Sequence, residues 1–130
     1  MAKILFVDDS RDNADSLATF FKLLGHETEV AYDGDTAVEL TSRFTPDIAF
    51  IDIQMPMLDG FDTAREFRSR LGEKPVLIAL TGQEWAKTGD EAGRAGFDGF
   101  LQKPAQASAL AKPVEPDKFV ETVNLALEGS

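Results

Sequence analysis

The sequence predicts an α/β domain in which a five-stranded parallel sheet carries helices on both faces. Short β-leaning apolar runs alternate with amphipathic runs of helical period along the chain. KILFV (3–7), DIAFID (47–52) and PVLIAL (75–80) are apolar without interruption through their middles, as strands covered on both faces are. The length of 130 residues, with 43% hydrophobic, suits one domain with a single substantial core.

KILFV is the first strand. In DNADSLATFFKLLG (12–25), Ala14, Leu17, Ala18, Phe21 and Leu24 fall at i, i+3, i+4, i+7 and i+10, which predicts one apolar helix face stopped by Gly25. ETEVAY (27–32) is more polar and predicts an outer strand. DGDTAVELTSRF (33–44) predicts a second helix with Ala37, Leu40 and Phe44 inward, ended by Pro46, and DIAFID follows as the third strand. LDGFDTAREFRSRLG (58–72) predicts a third helix with Phe61, Ala64 and Phe67 on one side. PVLIAL is the fourth strand and the most apolar run of the chain. EWAKTGDEAGRAG (84–96) predicts a fourth helix weakened by Gly89 and Gly93, each costing about 1 kcal/mol relative to alanine. FDGFLQ (97–102) predicts the fifth strand. EPDKFVETVNLALEG (115–129) predicts the last helix, with Pro116 near its first turn and Phe119, Val120, Val123 and Leu127 inward.

The absence of cysteine excludes a disulfide framework and a thiolate metal site, and it suits a cytoplasmic setting. A formal net charge of −10 argues against nucleic-acid binding by this domain, because a polyanion is repelled. It favours a basic partner or a cation held by clustered carboxylates. The N-terminal run is too short for a signal peptide, and no apolar run approaches the length that spans a membrane.

In open sheets of this kind, ligands bind beyond the carboxyl ends of the strands. There the sequence places Asp8-Asp9, Asp52, Thr81-Gly82 and Lys103-Pro104. Carboxylates brought this close repel and raise one another's pKa, and a divalent cation relieves the repulsion. Hard oxygen ligands with room for water favour Mg²⁺. A Mg²⁺ beside a carboxylate, an ammonium and a hydroxyl makes a site for a phosphoryl group. Taken singly, the same residues have plainer readings. A strand-terminal aspartate is most often a helix N-cap or loop residue, Thr-Gly is usually a turn, Lys103 a surface charge and Phe100 core. Met55-Pro56 and Gly60 read as shaping the loop after Asp52. His26, the only histidine, reads as a surface residue past a helix end, and Trp85 as half-buried against the fourth helix.

The blocks ILFVDDS, FIDIQMPMLDG, LIALTG and AGFDGFLQKP, in that order and spacing, resemble the motif blocks of the response-regulator receiver domain over essentially the whole chain. The resemblance implies a flavodoxin-like (βα)5 fold with strand order 2-1-3-4-5, and a role in two-component or phosphorelay signalling rather than as an enzyme acting on other substrates. It implies that Asp52 is the phosphoacceptor, taking its phosphoryl group from the phosphohistidine of a histidine kinase or histidine phosphotransfer protein, with Mg²⁺ as cofactor. Asp9 would ligate the metal directly and Asp8 largely through water; Asp52 and the backbone carbonyl of Gln54 would complete the protein's share of the shell. Lys103 would pair with the carboxylate and then with phosphoryl oxygens, Thr81 would hydrogen-bond the phosphoryl group, and Phe100 stands at the switch-aromatic position. The output would be a changed face of the fourth helix, fifth strand and fifth helix, presented to a downstream protein. Gln54 and Gln83 flank the site at positions where the family varies.

Lys-Pro occurs twice, at Lys103-Pro104 and nine residues later at Lys112-Pro113, where a typical family member has one. Residues 104–112 therefore read as an insertion between the fifth strand and the last helix of one receiver domain, 1–130. Lys103 follows FDGFLQ directly, so the chemistry is assigned to it rather than to Lys112; the resemblance also implies a cis Lys103-Pro104 bond. With no effector domain after residue 130, the chain reads as either a stand-alone receiver or the receiver portion of something larger, and Met1 at its start favours the former. Two other functions compete. A Mg²⁺-dependent aspartyl-phosphate phosphohydrolase would carry an Asp-x-Asp pair, but Ser10 stands two residues after Asp8 and Gln54 two after Asp52. A receiver-like domain that only binds partners would not need the full set of acids, threonine and lysine.

Overall fold

The structure is a computed structural model that describes residues 2–55, 57–81 and 91–102. Its strands are β1 (Lys3–Val7), β2 (Glu27–Ala31), β3 (Ile48–Asp52), β4 (Val76–Thr81) and β5 (Gly99–Gln102). Between them lie α1 (Arg11–Leu23), α2 (Gly34–Leu40) and α3 (Gly60–Leu71), and residues 91–95 are also helical. All strand pairs are parallel, in the order β2-β1-β3-β4-β5. This is the predicted architecture and strand order.

The alternation of side chains along the strands divides the core in two. Leu5, Val7, Ala49, Ile51, Leu77 and Ala79 point to the side where Ala37, Leu40, Phe44, Ala64 and Phe67 are packed. Ile4, Phe6, Ile48, Phe50, Val76, Ile78 and Leu80 point to the other, where α1 contributes Phe21. Three rings lie against one another there: Phe6 and Phe50 are 5.2 Å apart and nearly parallel, and Phe21 sits 5.5 Å from Phe6 and 6.0 Å from Phe50. The outer strand β2 is only half-buried over Thr28 to Val30, as its polar sequence predicts.

Helices α1, α2 and α3 each start at a side-chain cap. Ser10 Oγ accepts from the Asn13 amide, Asp33 from that of Thr36 and Asp59 from that of Asp62. The ends differ from the sequence reading, and local chemistry explains each case. Leu24 is 47% exposed rather than inward, because the helix ends at Leu23 and Leu24 is its C-cap. The chain turns there, with Gly25 at φ 97° donating to Lys22 O. Helix α2 stops at Leu40, not at 44. The amides of Thr41, Ser42 and Arg43 tighten to carbonyls three residues back, and the hydroxyls of Thr41 and Ser42 bond Val38 O and Glu39 O. Phe44 is still buried. Helix α3 begins two residues later than predicted, with Asp59 as its cap. Phe61 is half-buried, edge-on to Phe97. β5 begins at Gly99, because Phe97 joins the core and the Asp98 amide donates to Leu77 O. His26 is not a fully exposed surface residue: it is half-buried, and its Nδ1 accepts the Ala2 amide at 3.1 Å. Trp85, Gly89, the insertion at 104–112 and the predicted helix 115–129 lie outside the described residues.

Candidate functional site

The carboxyl ends of β1 and β3 are neighbours, since β1 pairs with β3 through Val7 and Ile51. Asp8 follows Val7 and extends the ladder on the other side, its amide donating to Ala31 O at 3.1 Å. Its side chain is 1% exposed, and its Oδ1 accepts the Ser10 amide at 2.9 Å. Asp8 is therefore not the N-cap of α1; Ser10 takes that place, and Asp8 is turned into the site. Asp9 is exposed beside it. Asp52 is the last residue of β3, 3% exposed, and its Oδ1 accepts the Gln54 amide at 2.9 Å. The Ile53 amide donates to Leu80 O and ties the same strand end to β4.

Asp8, Asp9 and Asp52 each offer a carboxylate oxygen, and the three oxygens lie within 4.8 Å of one another. Two of these acids are buried and the third faces solvent. An all-oxygen, strongly negative donor set of this size fits a hard divalent cation, and the exposure of Asp9 and Gln54 leaves access for waters to complete a shell. The remaining predicted residues are placed by the backbone. Thr81 ends β4 and pairs with Gln102, so it stands at the same sheet edge as Asp52. Phe100 lies within β5, paired with Ala79. Lys103 is the residue after Gln102; it, its bond to Pro104, Lys112 and Gln83 lie outside the described residues.

Next to the site the structure adds a brace that the sequence reading does not contain. The Arg11 guanidinium lies 4.3 Å over the ring of Tyr32, and the Tyr32 hydroxyl donates to Asp15 at 2.6 Å. That hydrogen bond holds the phenol pKa above its ordinary value. These contacts pin the first turn of α1 to the residue after β2; no local periodicity relates Arg11 to Tyr32.

A family model described as the response regulator receiver domain matches residues 4–123. The chain belongs to the response regulator receiver domain family. This receiver domain is 34% identical over 131 residues to the response regulator MprA of Mycobacterium leprae, covering 95% of this chain and 57% of that protein. It thus spans little more than half the length of that relative. Its backbone matches the receiver domain of NtrX from Brucella abortus with a TM-score of 0.81 at 29% identity, over 98% of this chain and 99% of that one. It also matches the Francisella response regulator 1452 receiver domain, with a TM-score of 0.79 at 27% identity over 98% of both chains. The receiver domain is a two-component signalling module. Among the described residues no helix is long and apolar enough to cross a membrane.

Proposed function

We propose that this receiver domain takes a phosphoryl group onto Asp52 in the presence of Mg²⁺, from the phosphohistidine of a cytoplasmic histidine kinase or histidine phosphotransfer protein. The observation that carries the reading is the placement of Asp52: a buried carboxylate at a strand end, within 4.8 Å of the oxygens of Asp8 and Asp9. Asp9 and Asp52, with Asp8 through water and the Gln54 carbonyl, would hold the cation. When bound, Mg²⁺ supplies positive charge against the transferring phosphoryl oxygens.

An Asp52 carboxylate oxygen forms the new bond to phosphorus as the phosphorus–nitrogen bond of the phosphohistidine breaks. The bonding pair returns to the imidazole, which takes up a proton. The Gln54 amide, already donating to Asp52 Oδ1, helps to orient the carboxylate for attack. Thr81 and Lys103 stabilise the phosphoryl oxygens, Phe100 responds to the change at Thr81, and a downstream protein reads the altered face. Residues 104–112, an insertion before the last helix, lie beside this edge in sequence.

The test is intact-mass spectrometry after treatment with a small phosphodonor and Mg²⁺. The wild type gains one phosphoryl group and the Asp52→Asn variant gains none; equal labelling of the two places the acceptor elsewhere.

A further inference from the structure

The first residue of α3 touches the strand that carries Asp52. A Cβ built on Gly60 would overlap the carbonyl oxygen of Asp52 and the Cα of Ile53, and would lie 2.9 Å from the Asp52 carbonyl carbon. All three are backbone atoms, so no rotamer change relieves the overlap. Gly60 is not among the glycines of positive φ, so what requires glycine here is proximity and not backbone conformation. We propose that Gly60 is a positioning residue for Asp52: α3 seats without a side chain on the Asp52–Ile53 peptide and thereby sets the direction of the Asp52 carboxylate. The inference rests on Asp52 as the phosphoacceptor.

Both partners in this contact are held from behind. Helix α3 is fixed by its cap, with Asp59 Oδ1 accepting the Asp62 amide and Asp59 O accepting both the amide and the hydroxyl of Thr63. Ala64 and Phe67 are fully buried one and two turns on. The strand end is fixed by β4, through the Ile53 amide on Leu80 O. The peptide after Asp52 therefore lies between β4 and α3. A displacement there turns the carboxylate away from Asp8 and Asp9 without unfolding either element. In-line attack at phosphorus is sensitive to a fraction of an ångström in such positioning.

Arg68 supplies the control. Its guanidinium donates to the carbonyls of Gly72, Pro75 and Gly96, at the edge of the sheet opposite Asp52. Arg68→Ala therefore loosens the far end of α3 but not the Asp52 peptide.

The test uses the full chain with acetyl phosphate and Mg²⁺, and reads the labelling rate per folded molecule, the Mg²⁺ affinity and the melting temperature. Labelling of wild type and not of Asp52→Asn establishes the underlying reading separately. On that basis Gly60→Ala lowers the labelling rate about tenfold or more, while Arg68→Ala lowers the melting temperature and keeps the rate near wild type. A wild-type rate in Gly60→Ala, or equal loss in both variants, overturns the proposal. Should Gly60→Ala fail to fold, the cap at the same helix start is loosened instead, by Asp59→Ala, with Asp33→Ala as the matching change on α2. The labelling rate then falls in Asp59→Ala, is restored in Asp59→Asn, which still caps, and is unchanged in Asp33→Ala. Equal rates in Asp59→Ala and Asp33→Ala overturn the proposal.

Discussion

Arg68 and Asp98 meet at 2.8 Å on the edge of the sheet opposite Asp52, thirty residues apart in sequence. The Arg68 guanidinium also donates to the carbonyls of Gly72, Pro75 and Gly96, and Asp98 accepts the Leu77 amide on the oxygen that faces Arg68. One side chain thus joins the end of α3 to the entries of β4 and β5. Arg68→Ala is expected to cost about 2–3 kcal/mol in urea unfolding, since several charge-assisted bonds to backbone carbonyls go at once. Arg68→Lys should recover only part, because an ammonium cannot span the planar fork. Labelling of Asp52 per folded molecule should be unchanged.

The acid cluster is expected to oppose folding when no cation is present. Asp9→Ala removes one of three carboxylates whose oxygens lie within 4.8 Å. In chelator, this variant should be more stable than wild type by about 1–4 kcal/mol. Added Mg²⁺ should raise the melting temperature of wild type well above that of chelated wild type and barely move the variant's. An equal Mg²⁺ response in both would remove Asp9 from the metal shell.

His26 predicts a pH dependence. Burial holds its pKa below the ordinary 6.5, and its Nδ1 must stay unprotonated to accept the Ala2 amide. The unfolded chain therefore binds the proton first as pH falls. The stabilisation is fully present above about pH 6.5 and is lost as pH drops from there through the lower folded pKa. Melting temperatures taken from pH 8 to pH 5 should fall more for wild type than for His26→Asn, whose amide oxygen can accept the same hydrogen without titrating. Parallel curves would show that His26 does not titrate differently on folding.

The stacked phenylalanines should dominate core stability. Phe50 is fully buried against the rings of both Phe6 and Phe21. Phe50→Ala should cost about 3–5 kcal/mol and Phe50→Leu about 1–2 kcal/mol by urea unfolding.

Much of this was legible in the sequence, for reasons visible in particular residues. β1, β3 and β4 are readable because burial on both faces demands unbroken apolar runs, and Ile4 to Val7 and Ile48 to Ile51 are indeed buried throughout. The acids at the site are readable because the topology of a parallel sheet sends strand ends to one edge, so Asp8, Asp9 and Asp52 needed no contact information to be grouped. Helix ends are less legible. Leu24 continues an apolar spacing in one dimension after the chain has left the helix in three, and Thr41 and Ser42 close α2 through hydroxyl bonds that no period announces. The close approach of Gly60 to Asp52 and the reach of Arg68 to Gly96 and Asp98 join residues with no local pattern between them. Only the packed molecule reveals such pairs.

The strand order has a consequence for a chain still being synthesised. Because β1 lies between β2 and β3, the first 52 residues contain every strand needed to bring Asp8, Asp9 and Asp52 together. Lys103, the cation assigned to the same edge, is translated fifty-one residues after Asp52. A nascent chain that begins to pair its strands from the N-terminus assembles the repulsion before it has made its own counter-charge. Until that lysine leaves the ribosome, cations of the surrounding solution are what screen the half-made edge.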